Sequence, residues 1–116
     1  MNNRERGAKG ETLALAYMKK QGYVLLARNF RAARCEVDLI LKKEGMIVFA
    51  EVKARSGSSY GLGREAVTGA KQHNIITAAQ VYLSEKGLFE SDIRFDVLEV
   101  DLLTGEVGHI PSAFTL

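Results

Sequence analysis

Two apolar runs separated by a short glycine-containing turn constrain the fold of this chain more than any other feature of its sequence. The runs cover residues 35–42 and 46–54, and both are rich in Val, Ile, Leu and Phe. Between them, Lys43-Glu44-Gly45 supplies turn-forming residues. The pattern predicts an antiparallel β-hairpin closed by the two-residue loop Glu44-Gly45.

This hairpin is expected to bring two acidic side chains together. If Lys43 pairs with Met46, the same register carried along both strands places Asp38 opposite Glu51. Because side chains alternate along a strand, one face should then carry the charged groups. That face is predicted to hold Glu36, Asp38, Ile40, Phe49, Glu51 and Lys53, and the other to hold Cys35, Val37, Leu39, Val48, Ala50 and Val52.

Opposed carboxylates repel each other, so the repulsion between Asp38 and Glu51 must be offset. A divalent cation would offset it, because Mg²⁺ is a hard ion usually held by one or two carboxylates together with water and phosphate. Protonation of one acid or a shift in register would also do so. A Glu-x-Lys pair on a strand is typical of a solvated ion pair. Asp38, however, lies within an apolar run, where a carboxylate is seldom buried without a partner. The residues alone therefore leave a metal or catalytic site and a surface ion pair both open.

Length and composition bound the class of protein. With 116 residues, 47% of them hydrophobic, the chain fits a single domain, residues 1–116. The apolar stretch 13–18 is too short for a signal peptide or a membrane span, and Cys35 is the only cysteine. We therefore expect a cytoplasmic protein, with no membrane partner, in which Cys35 is a small buried hydrophobe.

The remaining patterns predict two helices and further strands. Residues 9–21 and 68–86 have helical periodicity, the second with Thr68 as N-cap and Gly87 as its end. Its buried stripe should be Ile75, Ile76, Ala79, Tyr82 and Leu83. Residues 23–29, 93–103 and 107–110 are strand-like. The order predicts an α/β sandwich with the acidic hairpin at its centre.

Several charged residues outside the hairpin are candidates for the same site. Glu11 begins the apolar stripe of the first helix. Its carboxylate is either stabilised by the dipole at the helix N-terminus or faces the sheet as a third acid. Lys71 falls in the first turn of the second helix, where a cation opposes the dipole and hints at an anionic partner. Residues 28–34 are predicted to form an arginine-rich loop, and the Gly/Ser-rich stretch 55–63 a second loop.

Charge is unevenly distributed although the formal net charge is only +2. Residues 1–34 carry eight basic and two acidic side chains, whereas residues 84–106 carry seven acidic and two basic ones. Arginines around an aromatic residue suit contact with nucleic acid, although such arginines are more often simply solvated. The distribution is compatible with a surface that faces a polyanion.

The order of elements, with Asp38 followed by Glu51-x-Lys53, resembles the PD-(D/E)xK nuclease superfamily, which includes archaeal Holliday-junction resolvases. A more specific resemblance, to the YraN-like family of bacterial proteins, spans nearly the whole chain. It rests on the blocks Gly10-Glu11, Arg28-Asn29-Phe30-Arg31, Glu36-Val37-Asp38-Leu39-Ile40, Phe49-Ala50-Glu51-Val52-Lys53-Ala54-Arg55, Ala66-Val67 with Lys71, Arg94-Phe95-Asp96-Val97 and Ala113-Phe114.

The resemblance implies a restriction-endonuclease-like αβββαβ core, with a mixed central sheet flanked by helices. It also implies a Mg²⁺- or Mn²⁺-dependent endonuclease acting on DNA, on branched or repair intermediates, or a catalytically silent nucleic-acid-binding or assembly module of the same fold. A homodimer is a further expectation. One departure from the family pattern is Cys35, where a glycine is usual, so a different local backbone path is expected there.

The same resemblance assigns roles to individual residues. Asp38, Glu51 and the Val52 carbonyl would hold the metal. Lys53 would orient the attacking water, and Glu11 would complete the acidic cluster. The residues expected to contact nucleic acid are Arg28, Arg31, Arg55, Lys71 and Gln72.

Overall fold

A computed structural model describes residues 1–56 and 67–116. In chain order its elements are α1 (Asn3–Lys20), β1 (Val24–Ala32), β2 (Cys35–Lys43), β3 (Met46–Arg55), α2 (Gly69–Lys86), β4 (Asp92–Asp101) and β5 (Val107–Phe114). The predicted order is confirmed. Most of the Gly/Ser-rich stretch 55–63 lies outside the described residues.

Helix α1 begins six residues before the predicted start. The Asn2 side chain caps it by accepting a hydrogen bond from the Glu5 N–H at 2.9 Å. The first two turns are polar, so apolar periodicity did not reveal them. Gly10 packs so closely on β3 that a Cβ there would lie 2.7 Å from the Ala54 Cβ. Glu11, the next residue, contacts Arg28 of β1.

Helix α2 begins and ends as predicted. The Thr68 side chain accepts a hydrogen bond from the Lys71 N–H, and Gly87 ends the helix in the left-handed conformation. Its buried residues are Ile75, Ala78, Ala79, Tyr82 and Leu83, whereas the predicted Ile76 is only partly buried.

The five strands form one mixed sheet in the order β1-β2-β3-β4-β5. Strands β3 and β4 are parallel and joined through α2, and every other neighbouring pair is antiparallel. The predicted hairpin register is confirmed from Lys43↔Met46 to Leu39↔Ala50. The α/β class and the restriction-endonuclease-like core are therefore as expected.

Strand β1 runs further than predicted and contains most of the arginine-rich segment. Its pairing with β2 continues to Ala32↔Cys35, so the prediction of a loop over residues 28–34 was wrong. The turn is confined to Ala33 and Arg34, which both have positive φ, as a two-residue hairpin turn requires. Cys35 lies in the strand without a left-handed backbone and packs half-buried against the core, so a glycine is not needed there.

Each face of the sheet packs against one helix. Ala14 and Met18 of α1 cover Leu39, Val48 and Ala50, and α2 covers the opposite face. Val37 and Cys35 lie in the α2 core with Ile40 and Phe49, so their predicted place on the Leu39 face was wrong. The reason is an interruption of the strand pairing around Asp38. No helix among the described residues is long and apolar enough to cross a membrane.

Candidate metal centre

Asp38 lies where β2 loses its regular pairing with both neighbouring strands. Its ladder with β3 ends at Leu39↔Ala50. On the other side, the pairs of β1 and β2 pass from Arg28↔Leu39 to Phe30↔Val37, leaving no ladder pair between them. Because Asp38 interrupts both ladders, β2 turns there and Val37 enters the core on the α2 face.

The carboxylate of Asp38 replaces the missing backbone partner of β3. Its Oδ2 accepts a hydrogen bond from the Val52 N–H at 2.8 Å. In an antiparallel ladder, the N–H and C=O of one residue point to the same neighbouring strand. The Val52 carbonyl therefore also points towards β2. We call this unpaired place beside Asp38, where the β2–β3 pairing has ended, the opening in the sheet.

Asp38 and Glu51 form a side-chain hydrogen bond, as the extended register predicts. Burial, the hydrogen bond to Glu51 and the charge of Glu51 together raise the pKa of Asp38 to about 8, and the Val52 N–H opposes this rise. Near neutral pH, Asp38 therefore remains largely protonated. The repulsion that the sequence predicts is relieved in part by protonation.

A cation from α2 provides further compensation. The Nζ of Lys71 lies 3.5 Å from the Oε2 of Glu51, and the Glu51 side chain is 6% exposed while that of Lys71 is 43% exposed. The anionic partner that the position of Lys71 suggested is therefore found within the chain. Because Lys71 is nearly half exposed, it also reaches the surface beside the site.

Glu11 faces the sheet and the acidic pair. Its carboxylate accepts a hydrogen bond from Arg28 Nε at 3.3 Å, and the Asn29 side chain lies close enough to affect its pKa. Burial and the charge of Asp38 raise the pKa of Glu11, and Asn29 and Arg28 counteract that rise. Of the two roles left open for Glu11, the structure supports proximity to Asp38.

Lys53 and Arg55 follow Glu51 on the same strand. Since Val52 and Ala54 face Gly10 of α1, alternation along β3 places Glu51, Lys53 and Arg55 on the α2 face. Lys53 is half-buried, and its register neighbour on β4 is the buried Glu99. Arg55 is also half-buried, and its Nε has no hydrogen-bond partner among the residues that the structure describes.

The other residues expected to contact nucleic acid have partners within the chain. Arg31 forms an exposed ion pair with Glu36, and Gln72 Nε2 donates to the Val67 carbonyl at 3.1 Å. An exposed ion pair is worth little in water, so the pairing with Glu36 holds Arg31 only weakly.

The donor set at the opening fits a hard divalent ion. Across residues 1–56 and 67–116, no three His, Cys, Asp or Glu side chains form a group able to hold one ion. Asp38 and Glu51 contribute two carboxylates, and the Val52 carbonyl adds a third oxygen. One or two carboxylates with additional oxygen ligands is the usual protein contribution to Mg²⁺. The residues present thus match the chemistry of Mg²⁺ or Mn²⁺.

The sequence patterns did not single out Asn29 as a site residue. It has φ = 54°, the left-handed region that asparagine tolerates better than most residues. Left-handed residues other than glycine concentrate at functional sites. An asparagine within a strand-like run was the available signal.

A second buried carboxylate, Asp96 on β4, was expected only as part of a family block. It accepts two hydrogen bonds at 2.8 Å from Arg94 and one at 3.0 Å from the Ser112 N–H, and His109 Nε2 lies 2.7 Å away. Burial alone would raise the pKa of Asp96, but the bonds from His109, Arg94 and Ser112 lower it overall. Because Arg94 also donates to the Tyr23 hydroxyl at 2.6 Å, this network ties β5 and the start of β1 to β4.

Comparison with known proteins places the chain in a family. Residues 10–100 match the model described as uncharacterised protein family UPF0102. A UPF0102 protein of Clostridioides difficile is 41% identical over 98% of this chain and 100% of its own length. Another, from Trichlorobacter lovleyi, is 45% identical over 98% of this chain and 93% of its own length. The chain therefore belongs to the UPF0102 family, which confirms the resemblance to the YraN-like proteins.

Proposed function

We propose that this member of the UPF0102 family is a Mg²⁺- or Mn²⁺-dependent endonuclease that hydrolyses phosphodiester bonds of DNA. The observation that carries the proposal is the contact between Asp38 and Glu51 at an opening in the sheet, with Lys53 two residues further along the strand. A purely structural strand would not need to give up regular pairing here. The interruption instead gathers hard oxygen ligands beside a lysine.

Asp38, Glu51 and the Val52 carbonyl would hold the divalent ion. When bound, the ion polarises phosphate oxygens and lowers the pKa of a coordinated water towards neutrality. Asp38 must then release its proton, since a metal-ligating carboxylate is ionised. Metal binding is therefore coupled to loss of that proton.

Two lysines place positive charge around the acids. Lys53 offers a compact ammonium group with three rotatable donors, suited to orient the attacking water and to stabilise charge on the phosphate. Lys71, now paired with Glu51, would turn towards a DNA phosphate once an ion neutralises Glu51. Arg31 and Arg55 would extend this positive surface along the DNA backbone.

The alternative is a nucleic-acid-binding or assembly module without turnover. The observation favouring it is that protonation of Asp38 and the ion pair of Glu51 with Lys71 already compensate the acidic pair, with no need of an ion. Under this reading, the cationic side chains bind DNA and the acids only maintain the fold.

Cleavage assays test the first reading. Purified protein is incubated with supercoiled plasmid, single strands and four-way junctions, with Mg²⁺, Mn²⁺ or chelator. We expect metal-dependent cleavage that is lost in Asp38→Asn and Lys53→Met. The matched controls Asp92→Asn and Lys19→Met change exposed residues away from the site and should leave cleavage unchanged.

Calorimetry separates the two readings. The nuclease predicts Mn²⁺ binding that disappears in Asp38→Asn. The silent module predicts no ion binding together with salt-dependent DNA affinity. Cleavage that persists in chelator, or that is unchanged in Asp38→Asn, contradicts the nuclease. Failure to bind any nucleic acid at low salt contradicts both.

A further inference from the structure

Arg28 is enclosed by acceptors from its own chain. Its Nε donates to Glu11, and its Nη2 donates to the Ala8 carbonyl at 3.0 Å and to Thr12 Oγ1 at 3.1 Å. All three acceptors lie on α1 within four residues of Glu11. The Arg28 side chain is 31% exposed, compared with 79% for Arg31 on the same strand. Arg28 therefore binds α1 to β1 instead of projecting freely from the surface.

Asn29 reaches the same carboxylate because of its backbone conformation. In a regular strand, consecutive side chains point to opposite faces, so Arg28 and Asn29 could not both contact Glu11. At Asn29 the positive φ breaks this alternation, and its side chain comes close enough to Glu11 to lower the pKa of that carboxyl. The break lies level with Asp38 on the neighbouring strand, where the pairing of β1 and β2 is interrupted.

We infer that Arg28 and Asn29 are positioning residues that fix the Glu11 carboxylate beside Asp38, and that Arg28 does not contact nucleic acid. The inference rests on the proposed function, because it takes the opening at Asp38 to be the reactive site. It changes the expected role of Arg28 from binding the DNA backbone to orienting an acid. Arg31, its exposed neighbour, retains the role of phosphate contact.

The contact is tested by the side-chain Nε–H signal of Arg28 in nitrogen-15 NMR, assigned by its disappearance in Arg28→Lys. We expect the signal to move or broaden in Glu11→Gln. Addition of DNA without divalent ion should shift the Arg31 signal and leave that of Arg28 in place. An Arg28 signal that shifts on adding DNA, or that is insensitive to Glu11→Gln, overturns the inference.

Kinetics test the positioning role. We expect Arg28→Gln to lower kcat about tenfold or more, the order found when a supporting hydrogen bond at a metal site is removed, with DNA affinity unchanged. In a chain that already carries Glu11→Gln, the same change should have no further effect. Asn29→Gly keeps the left-handed backbone but lacks the carboxamide, so it should also lower kcat without weakening DNA binding.

DNA affinity of the Arg28→Gln variant gives the contrary result if Arg28 contacts phosphate. Arg28→Gln overturns the inference if it weakens DNA binding and reduces the salt dependence of affinity by about one phosphate contact. If the unmodified protein cleaves no DNA with any metal, the proposed function fails. The NMR signals then still decide whether Arg28 holds Glu11 or contacts DNA.

Discussion

The raised pKa of Asp38 predicts an unusual dependence of stability on pH. Asp38 has a pKa of about 8 in the folded chain, against an ordinary value of 3.8. Between these values the native state holds a proton that the unfolded chain has released. The free energy of unfolding should therefore fall with rising pH, by at most about 1.4 kcal/mol per pH unit. This contribution is fully present below pH 4 and is lost as the pH rises through 8.

Asp38→Asn removes this dependence and nearly preserves the shape of the side chain. Its carboxamide oxygen still accepts from the Val52 N–H, its amino group still donates to Glu51, and it has no proton to lose. The free energy of unfolding of the variant, relative to that of wild type, should rise by up to about 2.7 kcal/mol between pH 5 and pH 7. This is the limiting slope multiplied by two pH units. It should be the more stable protein at pH 8.

Urea unfolding at pH 5, 6, 7 and 8 in chelator measures the effect, with the exposed Asp92→Asn as the matched control. The control curve should run parallel to that of wild type. If the Asp38→Asn curve is also parallel to wild type, the pKa of Asp38 is not raised in the native state. The coupling between metal binding and proton release would then be wrong as well.

Three further predictions follow from contacts around the sheet. Lys71→Gln removes the cation 3.5 Å from Glu51, so calorimetry should show tighter Mn²⁺ binding, whereas weaker binding would mean that Lys71 organises the site. Asp96→Ala leaves the partly buried Arg94 without its carboxylate partner, so the free energy of unfolding in urea should fall by about 3 kcal/mol. A loss below about 1 kcal/mol would contradict an anchoring role. Gly10→Ala forces the Ala54 Cβ away and should lower the free energy of unfolding by about 1–3 kcal/mol. The double variant with Ala54→Gly should regain most of this stability. Equal losses in the single and double variants would show that the contact with Ala54 does not cause the loss.

The elements of this fold could be predicted from sequence wherever local chemistry determines them. Thr68 and Gly87 bound α2 because a capping side chain and a left-handed glycine act within one turn. Likewise, Glu44-Gly45 fixes the register of the hairpin through the geometry of a two-residue loop. By contrast, the first two turns of α1 depend on a cap by Asn2 and carry no apolar stripe, so their pattern contained no helical signal.

The sequence pattern does not show that the Asp38 side chain competes with the backbone of β2 for the Val52 N–H. This competition decides which face of the sheet the residues before Asp38 occupy. Strict alternation assigns Val37 to the Leu39 face, and a single irregular residue reverses that assignment for every residue before it. Asp38 is that residue, since its carboxylate takes the Val52 N–H that the backbone of β2 would otherwise have bonded. A bond to the side chain of Asp38 thus replaces a backbone bond and keeps the Val52 N–H satisfied, while Val37 remains buried on the other face. An aspartate inside an apolar strand therefore signals a local change of face as well as a site, and the left-handed Asn29 level with it is the matching adjustment in β1.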